Sequence, residues 1–135
     1  MTVEYQGWAT IQESYREADD DEMRLKEIVG ALQARLTGLS LGLGHFHFEN
    51  FNGVWRLTVI GCRNHITGDW PEVLGLFRWI AEHAPGSYGM LSVINHEEEA
   101  SLASAFDVHV LKKGRLVRTA DVYLSPYHPV VEELP

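Results

Sequence analysis

The stretch LGHFHFENFNGVWRLTVIGCRN, Leu43 to Asn64, decides how this sequence folds. Asn52-Gly53 sits inside it. Both residues of a type I′ turn need positive φ, which Asn and Gly tolerate best, so the dipeptide predicts a hairpin. A two-residue loop fixes the register. Phe51 then faces Val54, Glu49 faces Arg56, Phe48 faces Leu57, His47 faces Thr58 and Phe46 faces Val59. Side chains alternate across a strand, so Phe46, Phe48, Leu57 and Val59 share one face, with Trp55 beside Asn50. His45, His47, Glu49, Arg56 and Thr58 share the other, with Ile60 and Cys62 further along. The apolar face needs a cover. The polar face is free to meet water or a partner.

Upstream, Val3 to Ser14 predicts a first strand rich in Tyr5, Trp8, Thr10 and Ile11, with Gly7 marking a bulge or a close approach. The acidic run Glu17 to Glu22 opens a helix. Asp19 and Glu22 have capping-box spacing, and acids suit the first turn of a helix dipole. Leu25, Ile28, Val29, Leu32 and Leu36 form one stripe at helical spacing as far as about Thr37, and Gly38 follows as a C-cap.

Downstream, Asp69 starts a second helix, with Glu72 at capping-box distance and Pro71 in the first turn, where a missing N–H costs nothing. Val73, Leu74, Phe77, Ile80, Ala81 and Ala84 make its buried stripe, and Pro85-Gly86 ends it. Tyr88 to Asn95 predicts a fourth strand. Its centre, Met90 to Ile94, is apolar enough for a strand covered on both faces. Ala105 to Lys112 is a fifth strand, with Phe106, Val108 and Val110 alternating against Asp107 and His109. Lys113-Gly114 turns the chain into a sixth strand from Arg115 to about Leu124. A two-residue loop there pairs Val110 with Val117, and Phe106 with Asp121. Residues 125–135 form an extended tail. The expected fold is α+β: a mostly antiparallel sheet of about six strands, two helices on one face, in βαββαβ (ferredoxin-like) order plus a C-terminal β-hairpin.

The 135 residues suit one domain, 1–135, with a core of its own. Nineteen acids against 11 bases give a formal net charge of −8. That argues against nucleic acid as a direct ligand, since phosphate binding needs a cationic footprint. It suits a basic protein partner, whose encounter an acidic surface speeds. Cys62 is the one cysteine, so no internal disulfide forms, which favours a reducing compartment and points to the cytoplasm. MTVEYQGWATIQES lacks the basic and apolar regions of a signal peptide, and no window approaches a membrane span.

His45 and His47, with Glu49 extending the row, have the best metal-site spacing in the chain, because alternate strand positions project the same way. A closed site needs a further ligand such as His109. The plainer reading is an exposed polar row, with Glu49 paired to Arg56 across the hairpin. Cys62 and His65 have the makings of a thiol–imidazole pair, but no oxyanion-hole motif and no orienting group accompany them. The glycines of Leu41 to Gly44 follow no strand and open no helix, so they are no dinucleotide fingerprint. No catalytic residues and no cofactor are therefore expected. Trp8, Trp55, Trp70 and Trp79 are core or interface anchors. Trp79 lies beside the helix stripe. Trp8 and Tyr88 lie near glycines at strand ends, and the core is the expected place for both.

Several blocks together form a pattern. They are Gly7-Trp8-Ala-Thr-Ile11 with Glu13-Ser14-Tyr15; Trp55-Arg-Leu-Thr-Val59 with Gly61 and Asn64-His65; Ile80-Ala-Glu82 and Ala84-Pro-Gly-Ser-Tyr-Gly89; Phe106, Val108, Val110-Leu111 and Gly114; and Asp121 with Leu124-Ser-Pro126. Spread in order over nearly the whole chain, they make it resemble the immunity protein 7 family of bacterial polymorphic toxin systems. The Ala-Pro-Gly-Ser-Tyr-Gly block and the Leu-Ser-Pro are the most specific. Tyr127 stands where a cysteine is expected, and Val122 where a proline is.

The resemblance implies a non-enzymatic role: binding and neutralising a cognate toxin domain, one-to-one, in the cytoplasm of the producing cell, as in contact-dependent inhibition. The blocks that carry it look like fold-keeping residues, so the contact surface is sought elsewhere. Toxins that act on nucleic acid must be basic. Glu97, Glu98 and Glu99 offer them an anionic patch. The polar hairpin face, His47, Glu49 and Arg56, is a second candidate. Asp20 and Asp21 are a third, although helix capping also explains them. The competing function is a small metal-binding enzyme using His45, His47 and Glu49.

Overall fold

In the computed structural model of the protein, residues 3–16, 21–39, 45–63, 69–95 and 106–121 are described. Their elements run β1 (Val3–Ile11), α1 (Glu22–Gly38), β2 (His45–Phe51), β3 (Val54–Arg63), α2 (Asp69–His83), β4 (Tyr88–Asn95), β5 (Asp107–Lys112) and β6 (Arg115–Ala120). The strands form one antiparallel sheet in the order β2-β3-β1-β4-β5-β6. The element order is β-α-β-β-α-β-β-β, so the bare βαββαβ, ferredoxin-like order does not describe the chain; β5 and β6 carry the sheet past β4. The fold is α+β, a six-stranded antiparallel sheet with two helices.

The β2–β3 hairpin has the predicted register at every position from His45↔Ile60 to Phe51↔Val54. Asn52 and Gly53 turn with φ of 55° and 90°. The Asn50 side chain accepts from Gly53 N–H at 2.7 Å, which pins the loop. Lys113 and Gly114 make the second such turn, with φ of 50° and 74°. Val110 pairs with Val117 as expected, and Asp121 N–H donates to Phe106 C=O at 3.0 Å just beyond β6.

α1 begins two residues later than the spacing of Asp19 and Glu22 suggests. Asp21 is the N-cap, its carboxylate accepting from Met23 N–H and Arg24 N–H at 3.0 and 3.2 Å. The third helical residue is Arg24, which cannot return the bond as a capping-box glutamate does. Glu13, buried just past β1, does so instead: its Oε1 accepts from Asp21 N–H at 3.2 Å. The helix start is thus tied to the end of the first strand.

Ile28, Leu32 and Leu36 of α1 and Trp70, Val73, Leu76, Phe77, Ile80 and Ala81 of α2 pack into one buried cluster. The sheet contributes Val3, Tyr5, Ala9 and Ile11 from β1, with Leu57, Val59, Leu91, Val93 and Leu111. Phe46, Phe48 and Trp55 flank it. Both helices therefore cover one face. Each Leu, Ile, Val or Phe buried there stabilises the fold by about 1.5–3 kcal/mol. Trp79 is half-buried rather than central; it stacks on His83, with ring centroids 4.7 Å apart, and carries the Arg35 guanidinium 4.9 Å from its ring.

Two sequence expectations reverse here. β4 lies inside the sheet, between β1 and β5, yet it is covered on one face along its first half: Tyr88 and Met90 are 45% and 41% exposed. β5 is turned over relative to its apolar alternation. His109 and Leu111 face the helices, opposite Leu91 and Gly89, while Val108 and Val110 face the other way. Leu111 anchors that choice, and His109 follows by parity onto the Trp70 ring, with centroids 5.9 Å apart.

Candidate functional site

The uncovered face of the sheet carries the polar hairpin row and much more. Register joins His47, Thr58, Trp8, Met90, Val110 and Val117 in one line across all six strands. At normal strand spacing that line is about 24 Å long. Phe51, Val54, Ile60, Tyr88, Met90 and Val117 are large apolar side chains exposed on this face. Of the other exposed large hydrophobics among the described residues, Tyr15 lies just past β1 at the edge of this face and Met23 lies on α1. Trp8, Met90, Val110 and Val117 are successive neighbours in that line, and a contiguous apolar patch marks an interaction site more often than scattered exposure does.

The centre of the face is aromatic. Trp8 and Tyr88 meet edge to face, with centroids 6.1 Å apart. Arg56 lays its guanidinium over Trp8, 5.3 Å from the ring centroid, and Nη2 donates to the buried Thr10 hydroxyl at 3.3 Å. Trp8 and Tyr88 are thus on the open face and not in the core. The reason is parity: Ala9 and Ile11 take the helix side of β1, which sends Trp8 outward.

The block Ala84 to Gly89 builds the floor beside them. Pro85 and Gly86 end α2, and the buried Ser87 hydroxyl bridges both backbone groups of Gln12, accepting from N–H at 3.0 Å and donating to C=O at 3.4 Å. Gly89 lets β4 approach β1: a Cβ there would lie 2.0 Å from Trp8 C=O. Two adjoining depressions of about 520 Å³ each open over this floor. They share Tyr15, Val110, Lys112 and Lys113; Trp8, Tyr88 and Met90 line one, Arg115 and Val117 the other. A further depression of about 390 Å³ lies at the other end, among Glu4, Gln6, His45, Ile60, Cys62 and Ser92.

The site residues expected from sequence fare unevenly. His47 and Glu49 share the open face, their Nδ1 and Oε1 3.9 Å apart, both exposed. Arg56 stands opposite Glu49 in the register, but its guanidinium turns to Trp8, and no ion pair joins the two. Desolvation and planar stacking explain the preference, since an exposed carboxylate offers little gain in water. Asp21 is committed to capping α1. Asp20, Glu97, Glu98 and Glu99 lie outside the described residues, as do His65 and the tail 125–135.

His109 cannot join the histidine row as a metal ligand, because it lies on the helix-covered face. Among the described residues no group of three or more His, Cys, Asp and Glu is placed to hold a metal ion. Burial there pushes His109 below its ordinary pKa, with the Arg118 and Arg78 charges adding to the shift and Asp107 opposing it. Arg118 is paired with Asp107. What the sequence concealed is the cationic rim, Lys112, Lys113 and Arg115. In the sequence these residues look like ordinary turn charges; the register sets Lys112 and Lys113 beside Trp8 and Tyr88, with Arg115 opposite Lys112.

A family model described as immunity protein 7 matches residues 2–133. The chain belongs to that family. No curated protein and no solved structure matches it in the parallel comparisons. Membership gives the motif blocks of the immunity protein 7 chain a physical meaning. Gly7-Trp8 and Ala84 to Gly89 meet across the β1–β4 pair, with Gly7 opposite Leu91 and Ala9 opposite Gly89. A Cβ on Gly7 would lie 2.7 Å from Met90 C=O, so this glycine marks a close approach. No helix among the described residues is long and apolar enough to cross a membrane.

Proposed function

We propose that this immunity protein 7 chain binds a cognate toxin domain one-to-one and neutralises it in the cytoplasm of the producing cell, without catalysing a reaction. Family membership supports the role. The observation that carries the surface is the division of the sheet: helices cover one face, and the other exposes Phe51, Val54, Ile60, Tyr88, Met90 and Val117. The toxin docks on that open face. A stable complex buries about 1,200–2,000 Å² in total, and a few aromatic and arginine anchors dominate its energy. Trp8, Tyr88 and Arg56 are those anchors. Glu97, Glu98 and Glu99 meet a basic part of the toxin and speed the encounter.

The test is calorimetric titration with the toxin domain encoded beside this gene, together with that toxin's activity assay. Nanomolar binding at a ratio of one, with loss of toxin activity, supports the reading. Absence of binding at micromolar concentration overturns it. Met90→Asp then locates the surface: a charge at the centre of the face weakens binding by about a hundredfold or more if the toxin lies there, given a buried unpaired charge.

A further inference from the structure

The open face is not uniform in charge. In a chain of net charge −8, the depressions at its β4–β5–β6 end are lined by Lys112, Lys113 and Arg115, and no Asp or Glu is among the described residues lining them. All three cations are exposed, and no salt bridge to them is found among the described residues. Between them lie Val110 and Val117, and beside them Tyr15, Tyr88 and Met90. An apolar floor with a cationic rim fits a segment that carries both an apolar side chain and negative charge. A basic segment would meet like-charge repulsion there.

We infer that this groove receives an acidic, aromatic- or aliphatic-bearing segment of the toxin domain. The inference rests on the immunity reading and deepens it. The contact is then two-signed. The toxin presents acid to Lys112, Lys113 and Arg115, and base to the exposed Glu49 on β2, at the opposite edge of the sheet. Such an arrangement fixes orientation as well as affinity, because turning the toxin end over end sets like charges against each other at both poles.

The experiment uses the full chain with Lys112→Glu, Lys113→Asn and Arg115→Glu combined. Asn is chosen at 113 because φ is 50° there, and Asn tolerates that backbone better than Glu. A milder partner, Lys112→Gln with Arg115→Gln, covers any loss of folding, which thermal melting reports. Both are titrated against the toxin domain encoded beside the gene, at low and at physiological salt. The inference expects binding weakened about tenfold or more for the first variant, chiefly through slower association at low salt, with a smaller loss in the same direction for the second. Unchanged binding, or tighter binding, in variants that fold overturns the groove while leaving the immunity reading intact. A wild-type chain that fails to bind toxin overturns both. Sedimentation completes the test: a wild-type dimer that the charge variants dissociate makes a second copy of this chain the occupant and overturns the toxin segment.

Discussion

Arg56 lies opposite Glu49 in the β2–β3 hairpin, and its guanidinium rests on Trp8 instead, 5.3 Å from the ring centroid. A cross-strand neighbour is therefore not a partner here. The arginine reaches across to β1 and joins two strands through a side chain.

Replacing Arg56 with Lys keeps the charge and loses the flat group that stacks. Stability falls by about 0.5–1 kcal/mol, read as a shift of the urea midpoint at constant slope. Glu49→Gln changes it by less than about 0.5 kcal/mol, since that carboxylate is exposed and only the equally exposed His47 imidazole, 3.9 Å away, stands near it.

The cap of α1 predicts a pair of effects. Asp21→Ala leaves Met23 N–H and Arg24 N–H without their acceptor and costs about 1 kcal/mol. Glu13→Ala strips the acceptor from Asp21 N–H and costs a similar amount, about 1–3 kcal/mol, because Glu13 is buried. Chemical denaturation of Glu13→Gln, which keeps an acceptor oxygen, shows the smaller loss.

His109 makes stability depend on pH. Its pKa in the folded protein lies below the ordinary 6.5, so the folded state favours the neutral ring. As pH falls through 6.5, the unfolded chain takes up a proton that the folded chain resists, and stability is lost. Above that pH the contribution is fully present. Melting temperatures measured from pH 7.5 down to 5 fall in the wild type, and His109→Gln flattens the decline.

Glycines divide by their surroundings. Gly30 and Gly75 lie in helices with nothing within 4 Å of an added Cβ. Alanine there raises stability by about 0.5–1 kcal/mol each. Gly89→Ala drives a methyl group into the β1 backbone beneath Trp8 and costs about 3 kcal/mol or more. Thermal melts of the three variants separate the two classes.

The hairpin was legible because Asn52-Gly53 dictates a backbone and the backbone dictates the register. The helix stripes were legible for the same reason: Leu32, Phe77 and Ile80 repeat at a period only one structure uses. β5 was not, because a period-two pattern has no preferred side. Val108 and Val110 look like core, and only the contact of Leu111 with the helix side turns them outward. Trp8 and Tyr88 were misplaced for a related reason. The open face itself exposes large apolar side chains, so hydrophobicity no longer separates inside from outside. The cationic rim needed the pairing of β4 with β5, which joins distant parts of the chain.

β1 lies between β3 and β4, and Val3 pairs with Asn95. β1 therefore keeps one hydrogen-bonding edge vacant until β4 has left the ribosome, 92 residues after Val3 (95 − 3). At ordinary elongation rates the wait is about 5–20 s. Long-range pairing of this kind also slows the folding step itself. The sheet is therefore completed late in synthesis, and the open face that runs across all six strands exists only after this closure.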